Sequence, residues 1–274
     1  MVSNDELNYL KVDEVTAQWR QSDFYLGEFD FIFMVNSECH VASSDELEED
    51  DLIYAQETHG FSIVTQTCDI VRNCRMRPYL EVCPLVKVSE EEVVEVEKQR
   101  LINYVFIPNL AQEMLVGDIE RIMTIEKSCL LNLEKGVGCS NDFERRRFSQ
   151  ALSRKRARFA FPDEFNGIVN RLLKRLKEKH NKISPEGEAL RTLREIRVLA
   201  HPSWEESEGI HFYFVKQDER IHFDETAHLT KWLSLIGCTE NYSNVTGAIV
   251  SLEEMSAREY IDSDMLDLEN LSRT

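Results

Sequence analysis

The sequence predicts an α+β protein with a β-rich first half and a helical, mixed second half. Three observations predict it: strand-like aromatic and β-branched runs between residues 24 and 131, a Gly, Ser and Asn cluster at 134–142, and helix-period apolar patterning beyond it. A chain of 274 residues exceeds the usual single-domain size, so two packed units, or one large one, are expected. The cluster divides the chain into residues 1–135 and 143–274. An apolar content of 42% suffices for a core.

Phe24–Phe33 reads as one or two strands. Ser43–Asp51 is an acidic run, a solvated loop inserted in the first domain. Gly60–Asp69 and Tyr79–Val88, rich in Val, Ile and Thr, read as strands around the basic loop Ile70–Pro78. Ser89-Glu90-Glu91-Glu92 supplies an N-cap and first-turn acids, predicting a short helix over Ser89–Arg100. Strands resume at Leu101–Ile107 and Glu120–Leu131. Past the boundary, Phe143–Arg158 reads as a basic helix, and Pro162 interrupts it. Asp163–Lys179 places Phe165, Ile168, Val169, Leu172, Leu173 and Leu176 on one helical face. Ser184-Pro185-Glu186 starts a third helix with Pro in its first position. Arg194–Ala200 and Ile210–Lys216 predict a hairpin, Ile221–Phe223 a strand, Glu225–Leu235 a helix and Val245–Leu252 a strand. From Ile261 acid alternates with leucine, which suits a docking segment or an edge element.

Composition narrows the functional classes. Seven cysteines, an odd number spread along the chain, point to free thiols in a reducing compartment. No apolar run approaches the ~18 residues that a membrane-crossing helix needs. Met1–Glu6 has neither the basic nor the apolar part of a signal peptide, so the expected location is cytoplasmic, with no membrane partner. The sequons at Asn241 and Asn244 then carry no glycan. No Walker loop, GxGxxG, GxSxG or paired CxxC occurs, so no cofactor is expected and nucleotide-dependent, α/β-hydrolase and zinc-ribbon readings lose support.

Charge is segregated. The chain carries −18, yet between Arg145 and Lys182 thirteen Lys and Arg stand against three acids, a formal +10 that leaves −28 for the remainder. Such a segment is either a polyanion-binding surface or a basic stretch docked on the protein's own acidic parts. Arg154, Lys155, Arg156 and Arg158 interleave with Phe159, supplying phosphate-binding and base-stacking chemistry, with RNA or DNA as the partner; the competing reading is an acid-paired helix with core phenylalanines.

A second candidate site is Thr65-Gln66-Thr67-Cys68-Asp69, at a strand end beside Arg72, Arg75 and Arg77. Cys68 is a candidate nucleophile whose thiolate those arginines would favour, with His59 or Asp69 assisting. The bland reading makes Cys68 a small buried residue and Asp69 a turn-former. His59, Cys68, Cys74 and Cys83 offer zinc-type ligands, but their spacing matches no knuckle and no metal is expected; Cys83 reads as core. His201, His211, His222 and His228 lie in no catalytic or metal motif. Glu195 and Arg197 near Glu186 and Asp218 could form a carboxylate cluster for a nuclease metal, but the helix and strand order around them fits no nuclease motif. Trp204 reads as a loop anchor covering apolar surface.

The order of segments in the first half resembles the PemK/MazF-like family of small β-barrel proteins, toxin endoribonucleases among them. The resemblance rests on Gly27-Glu28-Phe29-Asp30-Phe31, Phe61-Ser62-Ile63-Val64-Thr65-Gln66, Tyr79-Leu80-Glu81-Val82-Cys83-Pro84-Leu85 with its hydrophobic-Pro-Leu signature, and the stretch from Met114 to Lys127. It covers under half the chain. It implies a β-barrel-like domain over 1–135 and a nucleic-acid-binding or nucleic-acid-processing role in a toxin or phage-defence setting. In the toxins an Arg-Pro pair precedes the second strand and a Thr or Ser follows the Pro-hydrophobic pair. Here His59-Gly60 and Val86-Lys87 occupy those places, which removes the toxins' catalytic residues. Two further expectations stand beside it: a non-enzymatic subunit with a protein partner, and a cysteine-dependent enzyme built on Cys68.

Overall fold

Capping chemistry and apolar spacing account for most elements of the computed structural model, which describes residues 4–34, 53–218, 220 and 222–266. The acidic run Ser43–Asp51 lies outside the described residues, as does the end of the tail. The chain divides into two compact units, Met1–Arg156 and Ala157–Thr274.

The first unit begins with a helix the sequence did not signal, α1 (Asn4–Thr16), because it lacks an apolar stripe: Leu7, Tyr9 and Leu10 are exposed, and among the described side chains Val12 and Thr16 are the buried ones. β1 (Phe24–Met34) pairs antiparallel with β2 (Ile53–Ile63). A register shift between Leu26 and Phe29 is accommodated by Gly60, whose φ of +114° and closeness to the Tyr25 carbonyl leave no room for a Cβ. After the single turn α2 (Thr67–Ile70), β3 (Tyr79–Lys87) pairs with β2. α3 (Glu90–Glu97) starts on a full capping box between Ser89 and Glu92 and buries Val93 and Val96.

The expected strands at Leu101–Ile107 and Glu120–Leu131 shrink to β4 (Tyr104–Val105) and, after the unpredicted β5 (Leu115–Asp118), β6 (Met123–Glu126). β5 and β6 run in succession along β3, parted by a bulge in which Asp118 accepts hydrogen bonds from the Glu120 amide at 3.0 Å and Arg121 Nε at 2.7 Å. Lys127 then ends the strand and opens a 3₁₀ turn. β7 (Lys135–Gly136) pairs with β1, and α4 (Asp142–Arg156) completes the unit.

The sheet runs β4-β5-β3-β2-β1-β7, with β6 beside β3, and it is open. The closed barrel implied by the family resemblance is not formed among the described residues. β4 and β7, two residues each, stand at the ends of the path, and the chain after β4 enters a 3₁₀ turn at Pro108 that cannot continue a ladder. Asn109 bridges the seam instead, donating its backbone N–H to Gly138 O at 3.4 Å and its side-chain amide to Val137 O at 2.7 Å. The division between units falls after α4, beyond the glycine-rich cluster, because Phe148 of α4 is buried with Phe24, Leu85 and Ile107.

The second unit carries α5 (Asp163–His180) with the expected stripe, Phe165, Ile168, Val169, Leu172 and Leu176 all buried. α6 (Pro185–Thr192) is capped by Ser184. β8 (Leu193–His201) and β9 (Gly209–Lys216) form the predicted hairpin. α7 (Glu225–Leu233) crosses to β10 (Asn244–Val250), which lies parallel to β9, the usual consequence of a helical crossover. His222 and Phe223 of the expected third strand are irregular. α8 (Ala257–Asp262) precedes β11 (Asp264–Met265), which adds to the β8 edge, so this part of the tail is an edge element. The order is β10-β9-β8-β11. Ile196, Val198, Phe212 and Phe214 meet α5, α6 and Trp232 of α7 on one face, while Tyr213, Val215 and Met255 form a smaller cluster. No helix among the described residues is long and apolar enough to cross a membrane.

Candidate functional site

The loop from Gln66 to Pro78 is exposed yet braced from behind. β2 stops where Thr65 Oγ1 takes the Glu81 backbone N–H at 2.6 Å, and Thr67 Oγ1 accepts from Gln21 N at 3.1 Å. Asp13 of α1 accepts from Asn73 Nδ2 and from Cys74 N, both at 2.8 Å, and Asn73 Oδ1 accepts from Arg75 N at 2.9 Å. The central brace is Lys127, 1% exposed, whose ammonium donates to Asp69 O at 3.0 Å and Arg72 O at 2.7 Å. Burial pushes its pKa below the ordinary lysine value, against the opposing pull of Asp13. Lys127, Asp13 and Asn73 escaped sequence reading. The one available signal was a lysine inside the apolar run Ile122–Leu131.

This braced loop holds several of the expected site residues. Cys68 is exposed rather than buried, its thiol 3.6 Å from Gln66 Oε1. Asp69 pairs with Arg72 at 3.6 Å. Arg75 reaches Glu6 at 3.9 Å and lies 4.5 Å over the Tyr9 ring, and Arg77 is exposed, with Met76 and Tyr79 beside it at 80% and 64% exposure. His59 sits exposed on β2, and no hydrogen bond or ion pair among the described residues joins it to Cys68 or Asp69. The zinc-type set is dispersed as well: Cys83 is fully buried in β3, its thiol pushed up to about 12 by burial and by Asp118.

The basic helix α4 turns its cations onto its own unit. Arg147 bonds the Glu97 carbonyl and Arg154 the Gln99 carbonyl, while Lys155 reaches Asn103 Oδ1 at 2.5 Å and Glu120 at 3.6 Å. Arg145 pairs with Asp142 at 2.9 Å and Arg156 with Glu81 at 3.2 Å. Because Glu81 is also the backbone partner of Val64 and Thr65, Arg156 stands at the start of the braced loop. In the second unit Phe159 stacks on Trp204 at 5.5 Å and 29°, and Arg158 precedes it. Trp204 packs on the core as an anchor, its indole N–H donating to Asp264 at 2.7 Å.

The acids weighed for a metal cluster are each engaged elsewhere. Glu186, 6% exposed, accepts two hydrogen bonds from Arg175, one from Lys231 at 2.8 Å and one from the Trp232 indole at 3.3 Å. Burial would raise its pKa, but the hydrogen bonds of Arg175 and Lys231 prevail and hold it at about 2. Glu195 alternates onto the other face of β8 from Ile196, and Asp218 pairs with Arg220 at 2.6 Å. Among the described residues no group of three His, Cys, Asp or Glu could hold a metal ion.

One cleft of about 640 Å³ lies at an end of the second sheet, lined by His201, Glu208, His211, Glu240, Asn244 and Thr246 among others. His211 Nδ1 is 2.8 Å from Thr246 Oγ1, and burial lowers its pKa, which favours the neutral ring. His228 is structural, bonded to Asp224 O at 2.7 Å and packed on Trp232.

Fold and site together define a class, a two-unit α+β protein with an open seven-stranded sheet in one unit and a helix-backed four-stranded sheet in the other. Comparison with protein-family models, curated proteins and solved structures gives no match.

Proposed function

We propose that the first unit binds single-stranded nucleic acid, with the braced loop 66–78 as the contact surface and Arg72, Arg75, Arg77 and Arg156 as its phosphate ligands. The observation that carries this reading is the combination of three arginines on a loop held by a buried lysine and Asp13 with an exposed aromatic ring, Tyr79, at the start of the strand that follows it. A rigid basic loop lowers the ordering cost of binding, and the tyrosine ring offers a stacking face to any base. A toxin or phage-defence setting is part of the proposal and is supported only by the resemblance in segment order. Processing is not part of the proposal, since Cys68, Asp69 and His59 share no hydrogen bond among the described residues. Anisotropy with labelled 12-nucleotide RNA and DNA at low salt tests it. Changing Arg72, Arg75 and Arg77 together to Gln is expected to flatten the salt slope by about 2, at roughly 0.7 per phosphate contact on a single strand. Failure to bind either strand, or an unchanged slope, overturns the reading.

A second reading, a non-enzymatic protein-interaction subunit, draws on a different observation: α4 spends its cations on carbonyls and carboxylates of its own unit, the docked alternative for a basic segment. It expects Arg147→Gln and Arg154→Gln to lower stability without altering nucleic-acid retention, and Cys68→Ala with Asp69→Asn to leave cellular activity unchanged.

A further inference from the structure

β10 is an edge strand seven residues long, Asn244-Val245-Thr246-Gly247-Ala248-Ile249-Val250, with no charge and no proline. Natural edges are ordinarily blunted by lysine, proline or a bulge, and this one has none of them. One row of its backbone N–H and C=O groups pairs with β9 in unbroken register from Asn244↔Gly209 to Val250↔Val215. The other row has no strand partner among the described residues. Its interior is held firmly, Val245 and Ile249 packing on the helix-side core, so the edge is a preformed template.

The exposed charges next to the strand in sequence are acidic, and the cation near its end, Lys216, is buried and paired with Glu225. Glu240 stands before it, and Glu253 and Glu254 follow it; Glu240 and Glu253 are exposed. The 640 Å³ cleft reaches Asn244 and Thr246, and its charged side chains are Glu208 and Glu240, beside His201 and the desolvated His211. A second copy of this chain adding antiparallel would bring Glu240 against the partner's Glu253 and Glu254, a like-charge arrangement. An extended segment with basic residues at its ends meets carboxylates at both.

We propose that β10 is a docking edge for an extended peptide segment of a partner protein, uncharged and β-prone in its centre and basic at its ends, that joins the sheet as a fifth strand and places a Lys or Arg side chain in the cleft beside Glu208 and Glu240. Backbone hydrogen bonds supply the affinity and the acidic ends supply selectivity, the logic of strand addition.

The test uses the full chain and the synthetic peptide Arg-Lys-Val-Thr-Val-Thr-Val-Lys-Arg, beside a version with Glu at the four terminal positions and two versions N-methylated at alternate backbone positions. Titration with fluorescein-labelled peptides and hydrogen exchange of the strand are the readouts. The basic-ended peptide is expected to bind and to protect amides within Asn244–Val250. The acid-ended peptide is expected to bind at least tenfold more weakly, and one N-methylated version, the one blocked on the pairing edge, to lose binding. Glu208→Gln with Glu240→Gln, both exposed positions, is expected to cost about tenfold, as two surface ion pairs of up to ~1 kcal/mol each would. Equal binding of acid-ended and basic-ended peptides, full binding by both N-methylated versions, or no protection of the strand overturns the proposal. A concentration-dependent dimer that protects the same amides assigns the edge to a second copy and overturns it too.

Discussion

Each unit buries charged side chains, and two of them, Glu186 in the second unit and Lys127 in the first, are compensated differently. Glu186 in the second unit meets cations: Arg175 and Lys231 neutralise it while the Trp232 indole donates as well, and its carboxyl is held down at about 2. Lys127 in the first unit meets neutral carbonyls of Asp69 and Arg72, and burial pushes its pKa down. The glutamate is a favourable ion in a network that ties α5, α6 and α7. The lysine is an ion held at a cost, and what that cost sustains is the shape of an exposed loop. The contrast separates a charge that stabilises a core from one that shapes a surface.

Breaking the glutamate has the largest expected effect. Glu186→Ala leaves Arg175 and Lys231 without their shared partner and is expected to cost about 3–5 kcal/mol, read by urea denaturation through Trp204 and Trp232. The same network sets an acid limit. Because the folded pKa of Glu186 is depressed, its contribution is fully present above the unfolded value near 4.5 and is lost as pH falls through about 2, so acid titration should loosen the α5–α6–α7 face across that window. Lys127→Met is expected to cost less, about 1–3 kcal/mol for the carbonyls left without a donor. Its sharper effect is on the loop, where amide exchange from Gln66 to Arg77 should rise and nucleic-acid retention fall together. The sign of its pH response is the same but the window is alkaline: a depressed folded lysine pKa makes that group's contribution grow more favourable as pH rises from the folded value toward 10.5. Arg156→Ala has the smallest stability effect, about 0.5 kcal/mol for an exposed pair with Glu81, but should weaken nucleic-acid binding several-fold. If it does neither, α4 contributes nothing to the loop surface.

Much of the fold was legible where local chemistry decides it. The Ser89 capping box, the Pro185 start after Ser184, the apolar stripe of α5 and the β8–β9 hairpin all stood as expected, each dictated by residues adjacent in sequence. The misses are long-range. α1 has no stripe to announce it and is held by contacts such as Asp13 with Asn73 and Cys74. β5 and β6 are short because the bulge at Asp118–Arg121 interrupts their pairing with β3, a detail of register that composition does not encode. The site followed the same rule. Cys68, Asp69 and the three arginines were visible as a cluster because they are sequence neighbours, whereas the lysine that braces them comes from more than fifty residues downstream. The +10 island was visible as charge, but its direction was not: whether arginines face solvent or carbonyls depends on what the helix lands upon.

That landing has a consequence for synthesis. Phe148 of α4 fills the same core as Phe24, near the other end of the unit, so the sheet cannot exclude water from that core until α4 has left the ribosome. Through most of its translation the first unit must carry a strand-rich, half-covered apolar surface, and any delay before α4 emerges lengthens the time a chaperone has to find it.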